Sequence, residues 1–292
     1  MGEPKFEYLV PYSIEEAVAF RGKYGNAAQF ISGGTEIVPM ITRGKIQQGF
    51  LIELTALADL AVLERHDGGL RIGAAVPLSR LAQSTLVRER WSALAEASAS
   101  IREPQVRNRG TIGGNVAHGV PSADLVPALL AFGARVKVQG PKAEREMDLE
   151  KFLLGPYRTA LEADELVVEI LLPEPEQALG SAFFKLTKFG GSGLSVATVA
   201  AAVSTRDGVV ASARITFGSA GPIPCRVPAA EEFLKGKRPG DEVLAQVGAL
   251  VSAAAEPREG SIRASPMHRR RVLKPLAERA VALAVRRSSG QF

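Results

Sequence analysis

Apolar positions change their period along this chain, and the changes divide it into elements. Residues 6–10 read as a short strand. Ser13-Ile14-Glu15-Glu16 then has capping-box spacing and opens a helix to about residue 24. A β-rich run at 28–31, a helical pattern at 36–43 and a third strand at 50–54 complete a β-α-β-α-β series. That series predicts a small parallel unit with a bend at the carboxyl end of its second strand, where α/β ligand sites usually sit. The character then shifts. Residues 60–65 and 70–74 flank Asp67-Gly68-Gly69, a hairpin signal, and helical stretches follow at 78–84 and near 91–99. Segment 101–109 is polar and contains Pro104. A helix is expected at 124–131, a strand at 134–139 and another at 165–172, closed by Pro173-Glu174-Pro175, which marks the expected domain boundary. Beyond it, 182–188, 196–204 and 209–217 form a strand meander. Pro222, Pro224 and Pro228 interrupt the chain before helices at 229–234, 241–255 and 266–286. Strands first and helices after predict an α+β C-terminal domain. The expected division is 1–175, comprising a small α/β part (1–55) and a larger mixed part (56–175), followed by 176–292.

Composition narrows the chemistry. The 292 residues suffice for a sizeable core in two or three subdomains. No apolar run reaches the roughly 18 residues of a membrane span, and the N-terminal residues lack a basic segment followed by an apolar one. The expected location is therefore cytoplasmic, with no membrane span. Basic residues gather at Arg269, Arg270, Arg271, Lys274, Arg279, Arg286 and Arg287. Helical periodicity assigns them to the solvated face of a helix whose inner face is Val272, Leu276, Ala280 and Leu283, and no aromatics interleave as nucleic-acid binding would favour. Cys225 is the single cysteine, so this chain alone holds no disulfide, CxxC motif or iron–sulfur cluster. His66, His118 and His268 are too scattered for a familiar zinc spacing. Any electrons handled here would travel on an organic cofactor.

Two glycine pairs stand out, in Ser32-Gly33-Gly34-Thr35-Glu36 and in Thr111-Ile112-Gly113-Gly114-Asn115. Gly-Gly steps permit positive φ and bring backbone N–H groups close to a ligand. Two such bends predict paired amide cradles around a diphosphate, with Thr35, Thr111 and Asn115 adding side-chain hydrogen bonds; two ordinary glycine turns are the plain alternative. There is no GxxxxGK[ST] and no GxGxxG after a strand, which counts against P-loop and Rossmann sites.

The segment Ile31-Ser32-Gly33-Gly34-Thr35-Glu36 resembles the AGGT(D/E) element of the FAD-binding subunits of molybdenum hydroxylases. The segment from Gln105 to Asn115, reading QVRNRGTIGGN, matches that family's most distinctive motif, and Pro121-Ser122-Ala123-Asp124-Leu125 follows at the expected place. The medium subunit of carbon monoxide dehydrogenase-like enzymes is nearest in size, and the corresponding domain of xanthine dehydrogenase is also similar. The resemblance covers essentially the whole chain. It implies a two-part FAD-binding fold of the vanillyl-alcohol oxidase type plus a C-terminal α+β domain. Residues 32–36 and 111–115, Ile112, Gly113 and Gly114 among them, would enclose the FAD pyrophosphate and ribityl chain. Asp124 would accept hydrogen bonds from FAD, and Lys185 would place a positive charge near the flavin. Ile101 and Val167 would make apolar contacts with it. Each has a bland alternative: a helix N-terminal carboxylate for Asp124, a solvated strand lysine, and plain core for Ile101 and Val167.

The resemblance further implies an oxidoreductase subunit with no catalytic side chain and no metal ligand of its own. A large partner would carry molybdenum–pterin and a small one two 2Fe–2S clusters, in a heterotrimer or a dimer of heterotrimers. Electrons would reach FAD and leave to NAD, a quinone or another acceptor. A self-sufficient flavin oxidase or dehydrogenase and a non-catalytic nucleotide-binding scaffold are the alternatives. Three departures from the pattern bear on the site. Phe189-Gly190-Gly191-Ser192-Gly193-Leu194 has no aromatic beyond Phe189 to cover the flavin ring. The cysteine-rich insertion of some relatives is missing, and the segment at Ser265–Arg270 lacks the usual tyrosine. His118 is read as structural or solvent-exposed, with a proton relay as the alternative.

Overall fold

Parallel pairing governs the N-terminal end of the computed structural model, which describes residues 6–46, 49–66, 68–176, 178–190 and 192–290. The first five residues, Asp67 of the expected hairpin turn and Gly191 lie outside the described ones. Strand β1 (Glu7–Leu9), helix α1 (Ile14–Tyr24), β2 (Ala28–Ile31), α2 (Ile37–Thr42) and β3 (Phe50–Glu53) form the expected unit, in sheet order β1-β3-β2 with both pairings parallel. Ser13 caps α1 by accepting from the Glu16 N–H at 3.2 Å. The reciprocal bond of a capping box is displaced by one residue: Glu16 Oε2 accepts from the Tyr12 N–H at 2.6 Å.

The larger mixed part is built on a five-stranded sheet. Strands β4 (Leu63–His66) and β5 (Gly69–Gly73) precede five short helices, α3 (Leu78–Gln83), α4 (Thr85–Arg90), α5 (Ser92–Ala99), α6 (Pro104–Arg109) and α7 (Ile112–Ala117). Helix α8 (Leu125–Ala131), β6 (Arg135–Gln139), β7 (Glu144–Asp148), α9 (Leu149–Phe152), the small hairpin β8 (Leu153–Gly155) and β9 (Arg158–Thr159), and β10 (Leu166–Pro173) follow. The sheet runs β4-β5-β10-β6-β7. Its core gathers Trp91, Leu94, Ile112, Leu125 and Phe152, all inaccessible to solvent.

The remaining strands are antiparallel, in the expected meander: β11 (Leu179–Phe189), β12 (Ser192–Arg206), β13 (Val209–Gly218) and β14 (Cys225–Arg226), in that order. Helices α10 (Pro228–Leu234), α11 (Asp241–Ala253) and α12 (Pro266–Ser288) close one face. Phe183, Ala200 and Ala202 on the other face join the core of the larger mixed part. The α12 stripe differs from the expected one: Leu273, Leu276, Ala277, Ala280, Val281 and Ala284 are buried, while Val272 and Leu283 flank it half-buried. Two of its basic residues are not solvated. Arg269 is buried and donates to the Val196 carbonyl at 2.5 Å, to the Ser219 carbonyl and to Ser261 Oγ. Arg287 reaches the larger mixed part, donating to Glu96 Oε1 on α5 at 2.6 Å. Among the described residues no helix is long and apolar enough to cross a membrane.

Candidate functional site

The first glycine bend leaves the carboxyl end of β2 and turns into α2. Gly34 has φ +73°, a left-handed backbone that costs glycine little because it has no Cβ. Gly33 is needed for packing instead: a Cβ there would stand 1.9 Å from the Arg109 carbonyl oxygen, at the end of α6. The two bends therefore interlock, although they lie far apart in sequence. Thr111 Oγ1 donates to Ser32 Oγ at 3.1 Å across the junction.

The second pair is not a loop. Thr111 is the N-cap of α7, accepting from the Gly114 N–H at 3.2 Å, and Gly113 and Gly114 occupy its first turn without positive φ. Glycine is a poor helix former, so the residue pattern conceals this helix. Tertiary packing imposes it: Ile112 is fully buried, and a Cβ on Gly113 would come within 2.5 Å of the Ala74 side chain. The expectation of two amide cradles is corrected as a result. Ile112 N–H donates to the Val76 carbonyl, Gly113 N–H to Ala74, and Asn115 N–H to Thr111. With the Gly114 N–H held by Thr111, the amides of Ile112 to Asn115 are all taken, and in the second bend only the Thr111 N–H meets no protein acceptor among the described residues. In the first bend, the N–H groups of Gly33, Gly34, Thr35 and Glu36 meet no protein acceptor among the described residues. Most of the free donors belong to the first bend, and the second chiefly supplies a wall.

Gly114 is the exception among the four glycines. A Cβ there would meet only Thr111 Oγ1, at 3.1 Å, and otherwise face open space. It borders a cleft of about 250 Å³ together with Ser32, Gly113, Ala117, Phe30 and Val167. Val167 lies in β10 and is buried, so it serves both core and cleft. Ile101 is buried but does not border the cleft; its carbonyl accepts from Arg107 Nη1 at 2.8 Å. Glu36 is exposed at the start of α2. Arg21 and the 161–166 segment also line the cleft. Sequence spacing gave no sign of them, because contacts between residues 142 positions apart leave no local period.

Asn115 Oδ1, His118 Nδ1 and Asp124 Oδ1 are buried without a hydrogen-bond partner, in one short stretch of chain. An unsatisfied buried polar atom costs about 1–3 kcal/mol, so their concentration here is what a site completed by a ligand shows. His118 is half-buried, its ring edge-on to Tyr157 at 5.4 Å between centroids.

Asp124 and Lys185 come together. Lys185 Nζ donates to Asp124 Oδ2 at 2.7 Å, with side chains 6% and 9% exposed respectively. Asp124 stands at the N-cap of α8 but makes no capping bond there, so its partner is the lysine of β11. Burial pushes its carboxyl up, and the Lys185 ammonium opposes that rise. Lys185 is thus neither a solvated strand lysine nor an isolated positive charge. It also borders a second cavity of about 290 Å³, with Ser100, Arg102 and Thr187. Near that cavity's strand, Phe189 and Leu194 are 74% and 54% exposed.

Residues 4–175 match the FAD binding domain in molybdopterin dehydrogenase, and residues 182–284 match the CO dehydrogenase flavoprotein C-terminal domain. The chain belongs to the FAD-binding subunits of the molybdenum hydroxylases. It is 34% identical to the carbon monoxide dehydrogenase medium chain of Hydrogenophaga pseudoflava over 256 residues, 88% of this chain and 89% of that one. It is 29% identical to the xanthine dehydrogenase FAD-binding subunit of Escherichia coli O157:H7 over 91% of each chain. The solved carbon monoxide dehydrogenase of H. pseudoflava, in a form lacking the Mo-pyranopterin moiety, superposes with TM-score 0.93 at 33% identity, covering 98% of this chain and 99% of that one. Quinoline 2-oxidoreductase of Pseudomonas putida 86 superposes with TM-score 0.92 at 26% identity over the whole of both chains. The chain is a flavoprotein component of an oxidoreductase complex, as the resemblance implied, and its cofactor is FAD. Unclaimed amides beside a bare Cα, with an unpaired amide oxygen on Asn115, are chemically suited to the diphosphate and hydroxyl groups of that cofactor.

Proposed function

We propose that this chain is the electron-transfer subunit of a heteromeric molybdenum hydroxylase. It receives electrons from 2Fe–2S clusters of a small partner, fed by molybdenum–pterin in a large one, and passes them to NAD, a quinone or another acceptor. The assembly is a heterotrimer or a dimer of heterotrimers, and its location is the cytoplasm. Residues 1–175 form the flavin-binding unit and 176–292 the C-terminal unit. The observation that carries this reading is the first bend's row of unclaimed N–H groups, in a bend joined through Ser32–Thr111 to the bend whose Gly114 leaves its cleft side open.

FAD, when bound, supplies two-electron storage between partners that deliver and accept electrons differently. The side chains bind and position it. Gly33, Gly34, Thr35 and Glu36 give backbone donors to the diphosphate; each hydrogen bond to a charged group contributes about 1.5–3 kcal/mol. Ser32 and Thr111, bonded to each other, fix the spacing of the bends. Asn115 offers its free carbonyl oxygen to the hydroxyl-bearing chain. Val167 excludes water from the cleft. Asp124 orients Lys185 at the second cavity, where the lysine faces the flavin end. The single cysteine cannot ligate a cluster, which leaves the clusters to other chains.

The test is recovery of the chain with its partners from native cells, followed by identification of each chain and of its metals. A small iron–sulfur chain and a large molybdenum-bearing chain are expected. Turnover of simple alcohols or aldehydes by the isolated, flavin-loaded chain would instead establish a self-sufficient enzyme.

A further inference from the structure

A carboxylate faces the Nε–Nη2 edge of the guanidinium in four arginines of this chain. Arg71 meets Glu169, Arg90 meets Glu174, Arg145 meets Glu165 and Arg226 meets Glu231. All four are half-buried. Arg269 is more deeply enclosed, at 4% exposed, and pairs with no carboxylate among the described residues. Its Nη1 donates to the Val196 carbonyl of β12 and to the Ser219 carbonyl just beyond β13, and its Nη2 donates to Ser261 Oγ at 2.9 Å. Its Nε is buried and has no acceptor among the described residues.

That arrangement leaves a charge unbalanced. Arginine keeps its proton in proteins, and a buried charge is ordinarily paired. Two carbonyls and a hydroxyl give Arg269 acceptors but no negative charge. Its neighbours deepen the deficit: burial first, then the like charges of Arg263 and Arg258, lower its pKa. Asp124, on whose carboxylate Arg263 also acts, is already bonded to Lys185. The surroundings are built around this guanidinium. Ser219 has φ +65°, a left-handed backbone uncommon for a residue with a Cβ. Its carbonyl accepts from Arg269, and its Oγ lies 2.5 Å from Ser195 Oγ. Ser261 belongs to the irregular segment between α11 and α12, half-buried between the exposed Gly260 and Ile262.

We propose that Arg269, with Ser261 at its Nη2 and Arg263 and Arg258 beside it, binds one small planar oxyanion of the carboxylate class. One oxygen accepts from Nε and the other from Nη2, the side-on geometry that Arg145 and Arg226 make with Glu165 and Glu231. Nε is closed off from solvent, which fits an ion of a few atoms entering past the segment between α11 and α12, and not a side chain presented on a partner's surface. The bound ion supplies the missing negative charge and staples that segment to β12 and the end of β13. None of these four residues lines either cavity described above, so the site is separate from the cleft beside the bends and needs no flavin.

The probe is sodium formate, titrated by calorimetry into the full flavin-loaded chain, with thermal melts in formate and in sodium chloride at equal ionic strength. Binding at a single site is expected, with Kd in roughly the millimolar range, and formate raises the melting temperature beyond what chloride does. Ser261→Asp sets a carboxylate beside Nη2. It is expected to melt above Ser261→Asn in dilute buffer and to bind formate roughly tenfold more weakly or not at all. Ser261→Asn has nearly the same shape without the charge and keeps the wild-type response. Arg269→Met abolishes binding, and the two Ser261 variants carry the test if that chain does not fold. No heat of binding with the wild-type chain, or an equal response to formate in wild type, Ser261→Asp and Ser261→Asn, would overturn the site.

Discussion

Four glycines in two motifs do three different jobs. Gly34 supplies a left-handed backbone, Gly33 and Gly113 make room for a neighbouring segment, and only Gly114 leaves space that the protein itself does not fill. Alanine at Gly33 or Gly113 drives a Cβ into backbone or side-chain atoms at 1.9 and 2.5 Å, so both variants should lose stability, by about 1–3 kcal/mol or more; urea unfolding measures this. The buried pair makes a second residue-scale prediction. Lys185→Met leaves Asp124 enclosed without its cation and should cost about 3–5 kcal/mol, with part recovered in the Lys185→Met/Asp124→Asn double variant. The sign of its pH dependence follows from linkage. With the lysine gone, burial raises the folded carboxyl further above the unfolded value of 3.8. The folded state then holds a proton that the unfolded state has lost, and stability falls as pH rises above that value. The deficit of the single variant should therefore be larger near about pH 7 than near about pH 4, read from denaturation at the two pH values.

At the scale of elements, the main helices and strands were legible because their apolar faces carry a period, and the missed ones share a reason for being missed. Helix α7 holds Gly113 and Gly114, residues that count against helix in a local reading, and α6 is a short polar segment opening on Pro104, which is accommodated at a first turn but would break a helix interior. Each is only a turn or two long, and burial of Ile112 rather than propensity keeps α7 wound. Strand β7, Glu-Arg-Glu-Met-Asp, has no apolar alternation because it is an edge strand. Cross-strand ion pairs hold it to β6: Lys137–Glu144 at 2.6 Å and Arg135–Glu146 at 2.9 Å. The same strand supplies Arg145, whose bonds to Glu165 hold that carboxyl below its usual range. The folded state thus binds fewer protons near the unfolded value of 4.5, so this ion pair stabilises the fold above that pH and is lost as pH falls through and below it. Glu165→Gln should flatten the acid limb of the stability–pH curve and leave its neutral region nearly parallel to wild type, as measured by thermal melts across that range.

Across the whole molecule, the C-terminal sheet is joined to the larger mixed part by polar as well as apolar contacts. Glu96 on α5 accepts from the Phe183 N–H at 2.8 Å and from Arg287 at 2.6 Å, and Arg287 also donates to the Ser181 carbonyl at 2.6 Å. Sequence reading assigned Arg287 to a solvated face, because helical period alone cannot see what a neighbouring element offers. Arg287→Ala should lower stability by about 1–3 kcal/mol, measured by urea unfolding. The motifs themselves were legible, as was the meeting of two distant segments; the division of labour between them was not. That division depends on which N–H groups the fold has already used, a property of three-dimensional packing. The most direct measurement is the flavin content of purified Gly114→Val beside wild type, with circular dichroism to confirm folding. The account predicts a folded chain that has lost most of its FAD, because a side chain at Gly114 fills cleft space that the protein leaves open. A folded Gly114→Val chain retaining FAD at the wild-type ratio would contradict it.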